Sequence, residues 1–125
     1  MFLVEAARRW EPDQIAVNAL NPGRIANTKL SRYLGEDSSP PAAFEPNSTT
    51  VSWKTAEQGA ATSVLLAASP LLDGVTGRYF EDCQEAGQAR PGIRRGVAAY
   101  ALDPEKAARL WRASVGLLAG QTYAS

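Results

Sequence analysis

The sequence predicts an α/β chain holding a strand that belongs inside a parallel sheet, with too few other strands to complete that sheet. Two observations lead there. In "IAVNALNPGRIANTKL", residues 15–30, Ile15, Val17 and Ala19 alternate with Ala16, Asn18 and Leu20, so neither face of the strand is clearly polar. Such strands lie in parallel sheets covered by helices on both faces. The rest of the chain divides into three helical patterns and one further strand pattern, and a two-stranded sheet is marginal by itself.

Taken in order, Leu3, Ala6, Ala7 and Trp10 follow helical spacing, so residues 2–11 form an amphipathic helix, ended by Pro12 and Asp13. No Ser, Thr, Asp or Asn caps its start. Arg8 and Arg9 belong to its solvated face. The strand 15–20 follows. From 27 to 52 the chain turns polar and is broken by Ser38-Ser39-Pro40-Pro41 and Pro46-Asn47-Ser48, with one amphipathic turn at Leu30, Tyr33 and Leu34. A segment of that length is a binding loop, a lid or disordered chain. Asn47-Ser48-Thr49 fits a glycosylation sequon but is incidental without a secretion signal.

Thr55 and Gln58 have capping-box spacing and open a helix to Ser69, with an apolar stripe of Ala61, Val64, Leu65 and Ala68 and Pro70 beyond. "GVTGRYFEDC" predicts a second strand at 77–82. Residues 84–96, with Arg90, Arg94 and Arg95 among glycines and a proline, read as a solvated connection. Asp103-Pro104-Glu105 then opens a helix with an N-cap, a proline in the first turn and an early acid. Ala107, Leu110, Trp111 and Ser114 lie on one face of it, with Val115 and Leu118 beside that face, and Gly120 can end it.

Composition narrows the chemistry. The 125 residues suggest one domain, able to bury roughly two-thirds of its unfolded surface. Thirteen basic and thirteen acidic residues cancel, so no global basic field attracts nucleic acid or an acidic membrane. No stretch reaches the roughly 20 apolar residues of a membrane span, and "MFLVEAARRW" lacks the basic start and cleavage site of a signal peptide. The single cysteine, Cys83, rules out an intramolecular disulfide and suits a reducing cytoplasm. There is no histidine, which excludes Ser-His-Asp and Cys-His mechanisms and histidine-containing metal sites within one chain. No metal site is expected. Cys83, without a basic activator, reads as a small packed residue, and Glu81 and Asp82, adjacent on a strand, point to opposite faces. Trp10, Trp53 and Trp111 read as core or interface anchors.

"VNALNPGRI", with "EAARRW" before it and "EQGAATSVLLAASPLLDGVTGRYFEDC" after it, resembles the C-terminal part of a short-chain dehydrogenase/reductase. "GRYFEDC" and "YALDPEKAARLWRAS" are similar to the retinol-dehydrogenase-like branch. The resemblance implies the end of a Rossmann-like doubly wound parallel sheet, cut to about two strands and three helices. It implies one partial domain: 1–27 as helix, strand and Pro-Gly turn; 28–54 as a substrate-type loop; 55–83 as helix and last strand; 84–125 as a tail with the C-terminal helix. It further implies an NAD(P)-dependent oxidoreductase in which Pro22, Gly23 and the backbone of Ile25 border the nicotinamide. Asn27 and Thr28 stand near the place where the family has a Thr for the carboxamide.

Two family features do not occur here. No Tyr-x-x-x-Lys is present, because Tyr33, Tyr79, Tyr100 and Tyr123 each lack a Lys four residues on, and there is no Gly-rich phosphate turn. No catalytic residue is therefore assigned. The expectation is a family segment inactive alone or forming one part of a larger reductase, with weak or absent cofactor binding. The alternative is a non-catalytic assembly module, homodimeric or paired with another chain of the family through helices 2–11 and 55–69.

Overall fold

The computed structural model describes residues 1–25, 53–93 and 95–120. They form α1 (Phe2–Trp10), β1 (Ala19–Asn21), α2 (Ala56–Ala68), β2 (Tyr79–Glu81), β3 (Gln84–Glu85) and α3 (Pro104–Ala119), with single 3₁₀ turns at Glu11–Asp13, Pro70–Leu72 and Ala99–Ala101. The polar stretch expected at 27–52 lies outside the described residues.

The sheet has three strands in the order β1-β2-β3. β1 and β2 are parallel, with Ala19 opposite Tyr79, Leu20 opposite Phe80 and Asn21 opposite Glu81. This is the parallel pairing expected of a Rossmann-like portion. The count of two strands needs correction, since β3 turns back antiparallel on β2 within what read as a solvated connection. Asp82 and Cys83 make the two-residue turn between them, with φ of 50° and 61°. Positive φ at both central residues is the requirement of a type I′ hairpin, usually met by Asn-Gly or Asp-Gly. Asp-Cys carries no such signal.

The first strand is also shorter than its apolar run. The amide of Val17 donates to Thr76 Oγ1 at 2.9 Å, and the Asn18 side chain donates to the Val75 carbonyl at 2.8 Å while accepting from the Arg78 amide at 3.0 Å. Beside the one backbone bond there, from the Gly77 amide to the Val17 carbonyl at 2.8 Å, side chains take the remaining polar groups, and the regular pairing starts at Ala19. Gly77, with φ of 72°, bends the facing chain there, so β2 likewise begins at Tyr79 and not at 77.

α2 begins as its sequence requires: Thr55 Oγ1 accepts from the Gln58 amide at 3.3 Å, and Gln58 Oε1 accepts from the Thr55 amide at 2.9 Å. Its buried face differs from the expected stripe. Gly59 and Thr62 are buried, whereas Val64 is 62% exposed and Ala68 is exposed. Close approach, not apolar bulk, selects the inner face: a Cβ on Gly59 would lie 2.4 Å from Ile25 Cδ1. Thr62 Oγ1 accepts from the Cys83 amide at 3.1 Å, tying α2 to the hairpin turn.

α3 is capped by Asp103, whose carboxylate accepts from the amides of Lys106 at 3.1 Å and Glu105 at 2.9 Å. The Lys106 amide, more than its ammonium, holds that carboxyl below the usual carboxylate range. α3 packs on α1 around Trp111. Phe2 stacks on it with ring centres 4.7 Å apart, Trp10 meets it edge-on at 6.0 Å, and the Arg9 guanidinium lies 4.9 Å from its ring. Ala6, Ala7, Phe80 and Ala107 are the buried hydrophobic residues among those described. Of the face expected on α3, Ala107 is buried, whereas Leu110 is exposed, as are Val115 and Leu118 beside it.

Arg8 and Arg9 do more than solvate a helix face. Glu5, only 2% exposed, accepts from Arg8 Nη2 at 2.7 Å and Nε at 3.1 Å and from Arg9 Nε at 2.8 Å. Those hydrogen bonds, the Arg8 pair foremost and against the opposing effect of burial, pull the Glu5 carboxyl down to about 2.

Candidate functional site: the carboxyl edge of the sheet

Both parallel strands end at one edge of the sheet, where ligands bind in open α/β folds. Pro22 and Gly23 follow β1 there and are exposed. The Asn21 side chain accepts from the Gly23 amide at 2.9 Å, closing the turn around Pro22. Gly23 has φ of 82°, a conformation that side-chain-bearing residues resist. Its bare Cα also has a close neighbour. A Cβ at this position would lie 3.0 Å from Lys54 Cε and 3.1 Å from both Lys54 Cδ and Nζ.

Lys54 is the residue that sequence reasoning passed over. It is buried, its amide donates to the Arg24 carbonyl at 2.7 Å, and it bridges Ile25 in parallel register. Its ammonium pairs with Asp82 Oδ1, and Asp82 Oδ2 pairs with Arg95 Nη2 at 3.1 Å. Asp82 thus sits in a hairpin turn between two cations, not on a strand opposite Glu81. Glu81 faces the other way chemically: it accepts from the Tyr79 hydroxyl at 3.0 Å and from the Gly96 amide at 3.0 Å. Burial, reinforced by that carboxylate, pushes the Tyr79 phenol above its ordinary value. Arg95, expected in a solvated connection, is half-buried in the cluster.

Of the sequence-derived site residues, Pro22, Gly23 and Ile25 lie together at this edge, with Ile25 half-buried against Gly59. Asn27 and Thr28 lie outside the described residues. Cys83, expected to be packed, is exposed, its sulfur 3.7 Å from Thr62 Oγ1. Trp53 has its indole Nε1 buried without a hydrogen-bond partner among the described residues, and the Arg24 guanidinium lies 5.4 Å from its ring centre. Among the described residues no group of three or more His, Cys, Asp or Glu side chains is placed to hold a metal ion. No described helix is long and apolar enough to cross a membrane.

The sequence is 55% identical over 114 residues to a probable oxidoreductase of Streptomyces lividans, covering 84% of this chain and 37% of that relative. It is 40% identical over 124 residues to human retinol dehydrogenase 14, covering 94% of this chain and 33% of that protein. The short-chain dehydrogenase/reductase prx1 of Penicillium roqueforti is 39% identical over 105 residues, covering 80% of this chain and 29% of its own length. The chain belongs to the short-chain dehydrogenases/reductases. It spans about a third of the length of the curated relatives it matches, and corresponds to their C-terminal part. No family model matches it, and no solved structure matches it. Within this short-chain dehydrogenase/reductase segment, the Pro-Gly turn and the Lys54–Asp82–Arg95 cluster share one edge of the sheet.

Proposed function

We propose that this chain forms the nicotinamide-side wall of an NAD(P)-dependent short-chain oxidoreductase. Pro22, Gly23 and Ile25, followed by Asn27 and Thr28, border the nicotinamide end of the cofactor. The observation that carries the reading is the place of Gly23: it leaves a parallel strand at the carboxyl edge, with an exposed backbone that a flat ring can approach. When bound, the cofactor supplies or accepts the hydride. The residues of this wall contact and orient one end of it. They hold no Gly-rich turn for the pyrophosphate and no Tyr-Lys pair for the proton. By this reading the 125-residue chain, working in the cytoplasm, transfers no hydride between NADH or NADPH and aldehydes or ketones, and binds dinucleotides weakly or not at all. Cofactor-dependent turnover by the purified chain, lost on heating, would overturn the reading, as would micromolar binding of NAD or NADP in calorimetry.

A second reading rests on a separate observation. Val64 is 62% and Leu71 is 84% exposed, along and just beyond an α2 that carries no charge after Glu57. Such a face suits assembly, with a second copy or with another short-chain dehydrogenase/reductase chain. Light scattering decides it: a homodimer is expected, and a compact monomer with a cooperative melt counts against it.

A further inference from the structure

We infer that Lys54 and Asp82 act as one positioning device for the Pro22–Gly23 turn, an inference that rests on the nicotinamide-side reading for its purpose but on geometry for its existence. Three observations meet in it. The end of the Lys54 side chain closes the side of Gly23 where a side chain would stand, so that a Cβ there would lie 3.0–3.1 Å from its Cε, Cδ and Nζ. The Lys54 backbone grips the same turn from the next residue on, by its amide to the Arg24 carbonyl and its bridge to Ile25. The ammonium, on a side chain only 5% exposed, is anchored outside the turn, on Asp82 of the β2–β3 hairpin, which Arg95 holds from its other oxygen.

The exits of β1 and β2 are therefore linked through the Asp82 carboxylate at the edge where the ligand is proposed to sit. A long flexible side chain positions a backbone only when its far end is fixed. Asp82 fixes it, and burial removes the water that would otherwise compete for the ammonium. Asp82 and Lys54 are positioning residues: they shape the wall and are not assigned contact with the reacting atoms.

The test uses amide resonances and hydrogen exchange of the full 125-residue chain in four forms: unmodified, Asp82→Asn, Lys54→Met and the double variant. Lys54→Met keeps most of the stem and removes the charge. The expected result is a shared shift at Gly23 and Arg24 in both single variants, with little change at Ala60 or Ala61 of α2. Exchange at the Lys54 amide should quicken by about tenfold, the equivalent of one charge-assisted hydrogen bond lost. The double variant should move no further than either single one. Unmoved Gly23 and Arg24 signals, or effects that add, would overturn the inference. Should Asp82→Asn not fold, Arg95→Gln weakens the same anchor from the exposed side and should move Gly23 in the same direction to a smaller extent. Titration with millimolar nicotinamide mononucleotide separates the two readings. A response at Gly23 that the variants diminish supports both. Coupled shifts without any nucleotide response leave the positioning device standing and count against the nicotinamide-side assignment.

Discussion

Two carboxylates in this molecule each sit between two cations, and they come about in opposite ways. Glu5 is gripped by Arg8 and Arg9 three and four residues ahead on the same helix. Asp82 is gripped by Lys54 and Arg95, which come from before α2 and from beyond β3. The first cluster exists wherever α1 is helical, because residues at those spacings are neighbours on any helix surface. The second exists only once β1, β2 and the hairpin are assembled. The difference is one of cost on disruption. Both arginines around Glu5 keep exposed side chains that water can serve, whereas Lys54 is sealed in and depends on its partners.

The largest expected effect tests that difference directly. Lys54→Ala should destabilise the fold by about 3 kcal/mol, because it strips a buried pair and leaves Asp82 facing Arg95 alone. Arg8→Ala should leave the urea midpoint nearly unchanged, since Arg9 still serves Glu5. Equal midpoints for the two variants would break the comparison.

Packing at the same edge gives a second measure. Gly59→Ala places a methyl 2.4 Å from Ile25 Cδ1, and overpacking of this kind costs about 2 kcal/mol. Thermal melts should show the loss, and Ile25→Ala in the same background should recover part of it. A neutral Gly59→Ala would mean that Ile25 is free to move away.

The smallest effect is a pH dependence confined to α1. Glu5 has a carboxyl near 2 in the folded chain, below its ordinary value near 4.5. Its contribution to stability is present in full above the ordinary value and is lost as pH falls through about 2. Glu5→Gln should abolish that part of the acid transition, read as a shallower loss of helical signal in acid titration. An unchanged acid profile would show that the grip on Glu5 adds nothing to folding.

Local signals were legible where one residue's chemistry is answered by a near neighbour. Thr55 with Gln58 and Asp103 with Pro104 named the starts of α2 and α3. The parallel partner of "IAVNAL" was legible from an apolar run without a polar face, though not its length. Asn18 and Thr76 could not be foreseen as substitutes for ladder bonds, because their partners lie far along the chain. Apolar spacing names a stripe on α2 but not which residues are buried: the close approach of Ile25 fixes Gly59 there, and the Cys83 amide holds Thr62.

By itself the sequence determined the three helices, the parallel strand pair, the Pro-Gly exit and the resemblance to the short-chain dehydrogenases/reductases. Each of these depends on residues within a few positions of one another or on an ordered series of such motifs. Only the tertiary structure decided that Asp82 and Cys83 make a hairpin turn, that Lys54 lies beside Gly23, and that Arg95 completes the cluster. The physical reason is that an ion pair between distant residues has no sequence period. Lysine, aspartate and arginine are ordinary surface residues until the fold brings them to one edge and removes the water between them.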